Sequence, residues 1–416
     1  MSRFMSVLTA AVILLVLIGA VHAPAYAQDW PQWRGPGRDG LITSFREPKA
    51  WPAQLEQAWQ VTVGTGHSSP LVEGRRIYLL SRQGEQEVVS CLDLETGKLV
   101  WRDLYPAPFT VNSAATRHGK GPKSTPVLQG GTLFTLGIGG ILSAYDAGSG
   151  RLRWRREFAS EYPKTSPLYG AAMSPIVERG LLIAHVGGHG NGALCAFDAE
   201  TGRTVWRWTG DGPGYSSPIA ANFGDTRQVV TQSEKNIIAV SPVDGTLLWS
   251  LPFTTAYDQN AVTPVVSGDT VIVSGLDTGV RAYRIAKVGN TWHPERVWEN
   301  RDVSFYMSTP VLAGGTLYGM SHRNKGSFVA LDARTGAALW ATPGRAGDNA
   351  AALVAGETLL LLTTDGELIV SRATRTGFEE RRRYTVAASP TWAHPVVTRA
   401  GIVVKDAETL ALWRLE

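Results

Sequence analysis

The sequence predicts an all-β fold, an eight-bladed β-propeller of four-stranded antiparallel blades, and three observations predict it. A phrase of the form Asp-x-x-x-Gly-x-x-x-Trp recurs along the chain. A Ser/Thr-Pro unit followed by an apolar run returns about every 46 residues from Pro70 to Pro395, within the roughly 40 to 50 of blade-type repeats. Short β-branched and aromatic runs alternate with Gly-containing turns, and 45 Gly with 23 Pro supply the turn density such a fold needs.

Aligned on the proline, the units begin at Pro70, Pro126, Pro175, Pro218, Pro264 and Pro310, then at Ala352, and last at Pro395. The turn phrase reads LDLETGKLVW, YDAGSGRLRW, FDAETGRTVW and LDARTGAALW, ending at Trp101, Trp154, Trp206 and Trp340. A fifth copy ending at Trp249 keeps Gly245 in register and has Ser241 in place of the Asp. Asp caps a turn through its own side chain, and Gly takes the left-handed backbone a tight hairpin demands. The Trp four residues later falls on the outermost strand, where a large ring fills the wedge between blades. Trp59 and Trp298 hold the same position, and Tyr384 takes it in the seventh unit. Trp59 has no repeat before it, while the last unit ends before its fourth strand. AWQV, around residues 58–61, is therefore expected to complete the last blade, a closure that removes exposed sheet edges. The charged tract GFEERRRY reads as the exposed edge of blade seven.

Forty Lys plus Arg against 36 Asp plus Glu is too even a balance for a nucleic-acid partner. Arg3, an apolar run over residues 7–21 and Ala25-Tyr26-Ala27 read as a signal peptide, residues 1–27, cleaved after Ala27. The expectation is an exported monomer, periplasmic or extracellular, with no lipid anchor and no stable membrane span. Residues 28–55, with Trp30, Trp33 and Trp51, read as an extended strap packed on a single propeller of residues 56–416, with Trp33-Arg34 a candidate lid for its central face. Cys91 and Cys195 sit at similar points of the first and third units, which are not neighbours, so both read as buried thiols rather than a disulfide.

The residues just before each repeat start gather around the channel mouth: Ser69, Thr125, Ser174, Ser217, Thr263, Thr309, Ala351 and His394. The plainer role for these hydroxyls is to satisfy backbone groups at the strand starts. Slightly upstream lie His67, Arg117, His118, Lys120 and Lys123 on one side of the ring, with Trp392 near them. Tyr169, Tyr215, Asp258, Gln259, Asn260, Tyr306, Asp348 and Asn349 come from the other units. Blades eight, one and two are neighbours, so His394, His67 and His118 approach one another in a sector suited to an anion. The Asp/Asn group, Asp258, Asn260 and Asp348, is the candidate for a cation with oxygen ligands. The bland alternative is a solvated polar rim. HVGGH, with His185 and His189, lacks further ligands for a metal site. The sequence holds no Gly-x-Ser-x-Gly, phosphate loop or Cys-x-x-Cys.

The ALD-x-x-TG-x-x-LW phrase resembles the tryptophan-docking motif of the pyrroloquinoline-quinone-like (PQQ-like) repeat family, over nearly all the chain from about residue 56. DWPQWRGPGRDG resembles the opening of exported proteins with such repeats. The resemblance implies three readings. One is a non-enzymatic scaffold that binds a protein partner or small-molecule ligand through its central face. The second is a quinone-dependent dehydrogenase, with PQQ and calcium as cofactors, Asp258, Asn260 or Asp348 near the cation and Lys120 or Lys123 on the quinone. The third is a factor of outer-membrane protein assembly. The chain departs from the dehydrogenases in having no adjacent Cys pair, and from the assembly lipoprotein in having no lipidated Cys. Fold and activity are separable here, because a docking Trp packs blades and performs no chemistry.

Overall fold

Eight antiparallel meanders stand around one axis in the computed structural model, which describes residues 29–45 and 47–415. The leader read over residues 1–27 lies outside them. The first strand of each blade faces the axis: Leu71–Glu73 in blade one, Val127–Gln129 in two, Ile176–Glu178 in three and Ile219–Phe223 in four. Val265–Ser267, Val311–Ala313, Ala350–Ala355 and Val396–Thr398 follow in blades five to eight. The closing strand is where the sequence places it. Glu56–Thr62 pairs antiparallel with Thr409–Arg414, setting Glu56 opposite Arg414 and completing blade eight. The apolar cores lie between neighbouring blades, as where Leu71, Tyr78 and Cys91 of blade one meet Leu128, Leu133 and Tyr145 of blade two. Cys91 and Cys195 are free and buried. Among the described residues no helix is long and apolar enough to cross a membrane.

The turn phrase works as its chemistry requires. Asp93 Oδ1 accepts from the Thr96 amide at 3.0 Å and its hydroxyl at 2.8 Å, and Gly97 takes φ 67°. Asp146, Asp198 and Asp332 repeat the motif with Ser149, Thr201 and Thr335. Each docking indole then reaches the next blade. Trp101 donates to the Ala147 carbonyl at 2.9 Å, Trp154 to Ala199 at 3.0 Å, and Trp59 carries the pattern across the closure to Leu94 at 3.0 Å. Trp249 departs from it and donates to Gln228 Oε1 within its own blade. Blade five has a long hairpin, Val280–Val288 with Thr291–Asn300, in place of the Asp–Gly turn that would receive the ring.

The turn glycine is also the surface on which the ring rests. A Cβ on Gly150, at φ 74°, would meet the Trp101 ring at 2.5 Å. Gly150→Ala is expected to lower stability by about 2–3 kcal/mol, the left-handed strain plus the displaced indole. Gly130→Ala, also left-handed at φ 57° with nothing within 4 Å, should lose only about 1 kcal/mol. Urea unfolding of the two variants checks this, and equal losses would remove the docking role.

The hydroxyls at the strand starts link blade to blade. The backbone N–H of His394 donates to Ser69 Oγ, that of Ser69 to Thr125 Oγ1, that of Thr125 to Ser174 Oγ and that of Ser174 to Ser217 Oγ. Thr263 donates in the same way to Thr309 Oγ1. Thr263 Oγ1 instead receives the Trp33 indole N–H, at 3.2 Å.

That contact shows where the strap runs. Rather than lying extended on the propeller, residues 29–42 turn inside the axial channel. Trp30 is fully buried and bridges Val72 of blade one, and the Pro31 carbonyl accepts from Leu128 of blade two. Arg34 donates to the carbonyls of Thr309 and Pro310 in blade six, while Arg38 reaches Ser174 and Pro175 in blade three. Leu41–Ile42 then adds a fifth strand to blade seven, parallel to Val354 and Ala355. The reason for this course is satisfaction of buried charge. The two guanidiniums lie at the ends of strands whose carbonyls have no ladder partner, and each donor fills one.

Candidate functional site

The loops that enter the first strands enclose a cavity of about 520 Å³ on the axis. Trp33 lines it from the channel side, because the strap's other contacts, at Val72, Val354 and Ala355, lie farther along the inner strands. The indole that the sequence suggested as a lid is the cavity's floor. It packs against His394 with ring centres 4.4 Å apart.

One wall comes from blades eight, one and two, as the ring order implied. His67, His118 and Trp392 form a cluster with ring centres 5.7 Å, 5.8 Å and 4.7 Å apart. All three imidazoles are held neutral. Burial drives His67 down to about 3, helped by the cations Lys123 and Lys405. His118 falls to about 4 through burial and the cations Lys123 and Arg117, and burial puts His394 well below its ordinary value. Lys123, lowered by burial to about 8, donates to the Tyr169 carbonyl at 2.6 Å.

The facing wall is aromatic. Tyr169 and Tyr215 rings lie 5.9 Å apart, and the Tyr215 hydroxyl accepts from the Tyr169 amide at 3.2 Å. The Tyr306 hydroxyl donates to Gln259 Oε1, and Asn349 also lines the cavity.

Six residues expected on this face do not line the cavity. Ser69 and Thr125 are buried in the hydroxyl ring. Lys120 pairs with Glu85 at 2.8 Å, and Arg117 with Asp348 at 2.9 Å, both on the exposed rim. Asn260 is fully buried, its amide nitrogen donating to the carbonyls of Ser233, Glu234 and Phe253. It clamps a loop and presents nothing to the axis. Asp258 is half-buried beside the mouth. The cation trio Asp258, Asn260 and Asp348 is therefore not assembled, since Asn260 is committed to buried carbonyls and Asp348 to Arg117, and none of the three lines the cavity. His185 and His189 are not a metal pair either, with His185 Nε2 against the Asp211 carbonyl at 3.1 Å and His189 edge-on to Tyr215.

Sequence reasoning missed Tyr257, Leu276 and Met307, which also line the cavity. Tyr257 stands in AYDQN beside three residues that polarity singled out, and an exposed aromatic gives no signal in a sequence. The residue is 72% exposed, and Tyr257 and Asp258 both have left-handed backbones, φ 63° and φ 53°.

PQQ with calcium is the group the fold family implies. The cavity is large enough for a small cofactor. Calcium, however, takes oxygen ligands and typically carboxylates. No Asp or Glu is among the residues lining the cavity, where Gln259 and Asn349 supply the side-chain amide oxygens. Nor, among the described residues, do three His, Cys, Asp or Glu come together to hold a metal. The donor set does not fit the quinone with its cation.

The comparisons with known proteins fall on both branches. The protein from Burkholderia pseudomallei described as outer membrane protein assembly factor BamB is 24% identical over 75% of this chain and 86% of its own length. The protein of that description from Yersinia pestis is 23% identical over 68% of this chain and 60% of its own length. Quinohemoprotein alcohol dehydrogenase from Comamonas testosteroni shares the fold, with TM-score 0.66, 16% identity, 93% of this chain covered and 80% of that one. The family profile described as outer membrane protein assembly factor BamB matches residues 85–342. With its repeat, its closed ring of eight blades and this match over more than half of its length, the chain belongs to that family of PQQ-like propellers.

Proposed function

We propose that this protein is an exported, non-catalytic propeller of outer membrane protein assembly that holds a protein partner on the face carrying the axial cavity. The observation that carries this reading is the match to the assembly-factor family over residues 85–342. The cavity wall supports it, because neutral imidazoles, tyrosines and two amides without a carboxylate suit binding rather than cation-assisted oxidation. The leader read in the sequence of residues 1–27 supports export to the envelope, where such a partner resides.

The mature protein, used as bait on solubilised envelopes, is expected to capture a barrel-assembly component. PQQ, with or without calcium, is expected to give no binding heat. Recovery of no assembly component counts against the reading. Reduction of an artificial electron acceptor with alcohols or sugars, after reconstitution with PQQ and calcium, would replace it by the dehydrogenase.

A further inference from the structure

We infer that the axial cavity is a binding site for a neutral saccharide, recognised by stacking on Trp392, Trp33 and Tyr257 and by hydrogen bonds from its hydroxyls to the imidazoles of His67 and His394. The saccharide would lie inside the cavity on the face where the protein partner is proposed to dock, and its binding does not depend on that partner.

Three observations converge. The first is an unmet hydrogen-bonding demand. His67 Nε2 and His394 Nδ1 are buried and have no partner, although both rings line the cavity. Each ring is neutral, so the unpartnered nitrogen presents either a lone pair or an N–H. A carboxylate can answer only the second and an ammonium only the first, and a purely apolar ligand leaves both nitrogens unpaired. A hydroxyl both donates and accepts, so it matches either tautomer of either imidazole.

The second observation is the aromatic surround. Indole and phenol faces favour a flat apolar surface carrying a partial positive charge, which the C–H face of a sugar ring presents. The third is Tyr257. An exposed tyrosine in a turn with two successive left-handed residues has a strained backbone, and such strain collects at ligand sites. A cationic ligand is disfavoured by Lys123 and Arg117 and by the absence of a carboxylate among the lining residues. The volume lies within the range of about 300–1,000 Å³ found for small-molecule sites.

The test is titration of the mature protein at pH 7 with maltotetraose, cellotetraose and chitotetraose, and with trigalacturonate as the acidic comparator. Calorimetry and indole fluorescence are the readouts. At least one neutral tetrasaccharide should bind saturably, shift the indole emission and do so equally with and without calcium. Trp392→Ala should weaken it by about tenfold or more, in line with the loss of one aromatic contact. Tyr257→Ala, at an exposed position where folding is not at stake, should weaken it several-fold with an unchanged melting temperature. The inference fails if no neutral sugar binds, if trigalacturonate alone binds, or if binding survives both substitutions unchanged.

Discussion

Arg34→Ala is expected to be among the most damaging single changes to this fold, lowering unfolding free energy by about 4–5 kcal/mol. Arg34 is 1% exposed, and its guanidinium donates to the carbonyls of Thr309, Pro310 and Asp39 at 2.6–2.8 Å. Its pKa drops to about 10 through burial, with the Asp39 charge opposing, so it remains cationic at neutral pH. Alanine would strand two buried acceptors, each worth about 1–3 kcal/mol when unpaired, and a third that is part-buried. It would also free Trp33 from its place below the cavity. Arg34→Lys should recover part of the loss, since one ammonium on a flexible stem cannot serve three carbonyls set in a fork. Urea unfolding at pH 7 measures this, and a loss below about 1 kcal/mol for alanine would mean that the strap docks without its arginine.

The second large effect concerns acid. His67 is depressed to about 3 and His185 to about 4, chiefly by burial, and burial drives His394 well below its ordinary value. In each case the folded pKa lies below the unfolded value near 6.5, so the unfolded chain binds protons that the native state refuses. Their contribution is therefore complete above about pH 6.5 and is lost as pH falls from there toward 4. Each fully depressed group removes about 1.4 kcal/mol per pH unit inside that window. Three acting together take roughly 4 kcal/mol between pH 6.5 and 5.5, less for the incomplete titration at the upper end. Glu87, raised by burial, acts in the opposite direction but as one group. Unfolding free energies at pH 7 and pH 5 should differ by several kcal/mol, and His185→Gln should flatten the slope. A flat profile between those values would show that the buried rings accept protons in place.

The sequence made the blades legible because their determinants are residue-specific. An Asp that caps its own turn, a Gly with positive φ and a Trp on the outermost strand each leave a letter at a fixed offset, and Trp59 even identified the closing strand. The imidazole sector was legible for a related reason, since ring order makes His394, His67 and His118 neighbours once the blades are counted. What escaped depends on partners that have no letter. The strap is held by backbone carbonyls, so nothing in DWPQWRGPGRDG shows that Arg34 and Arg38 reach opposite sides of the channel. Asn260 resembles a ligand residue in sequence, yet its amide is spent on the carbonyl of Phe253 in its own loop and on those of Ser233 and Glu234 in a hairpin of blade four. Lys120 and Asp348 look like cavity residues in sequence because polarity does not reveal that Glu85 and Arg117 lie beside them. Tyr257 gave no signal because its position over the mouth depends on two left-handed residues at a turn.

The closing strand also sets the order in which the molecule can be finished. Glu56 meets Arg414, so the two halves of the last blade are separated by nearly the whole length of the chain. Such a contact is late in any folding route, since its loop entropy is repaid only after the intervening blades exist. The channel, by contrast, is filled by residues that immediately precede the closing strand and already have partners in blades one and two. A nascent chain can hold this end beside its early blades while the rest are made, keeping the closing strand near its destination. The strap's first partners, in blades one and two, are thus available long before blade eight, while its contacts to blades three, six and seven follow as those blades form.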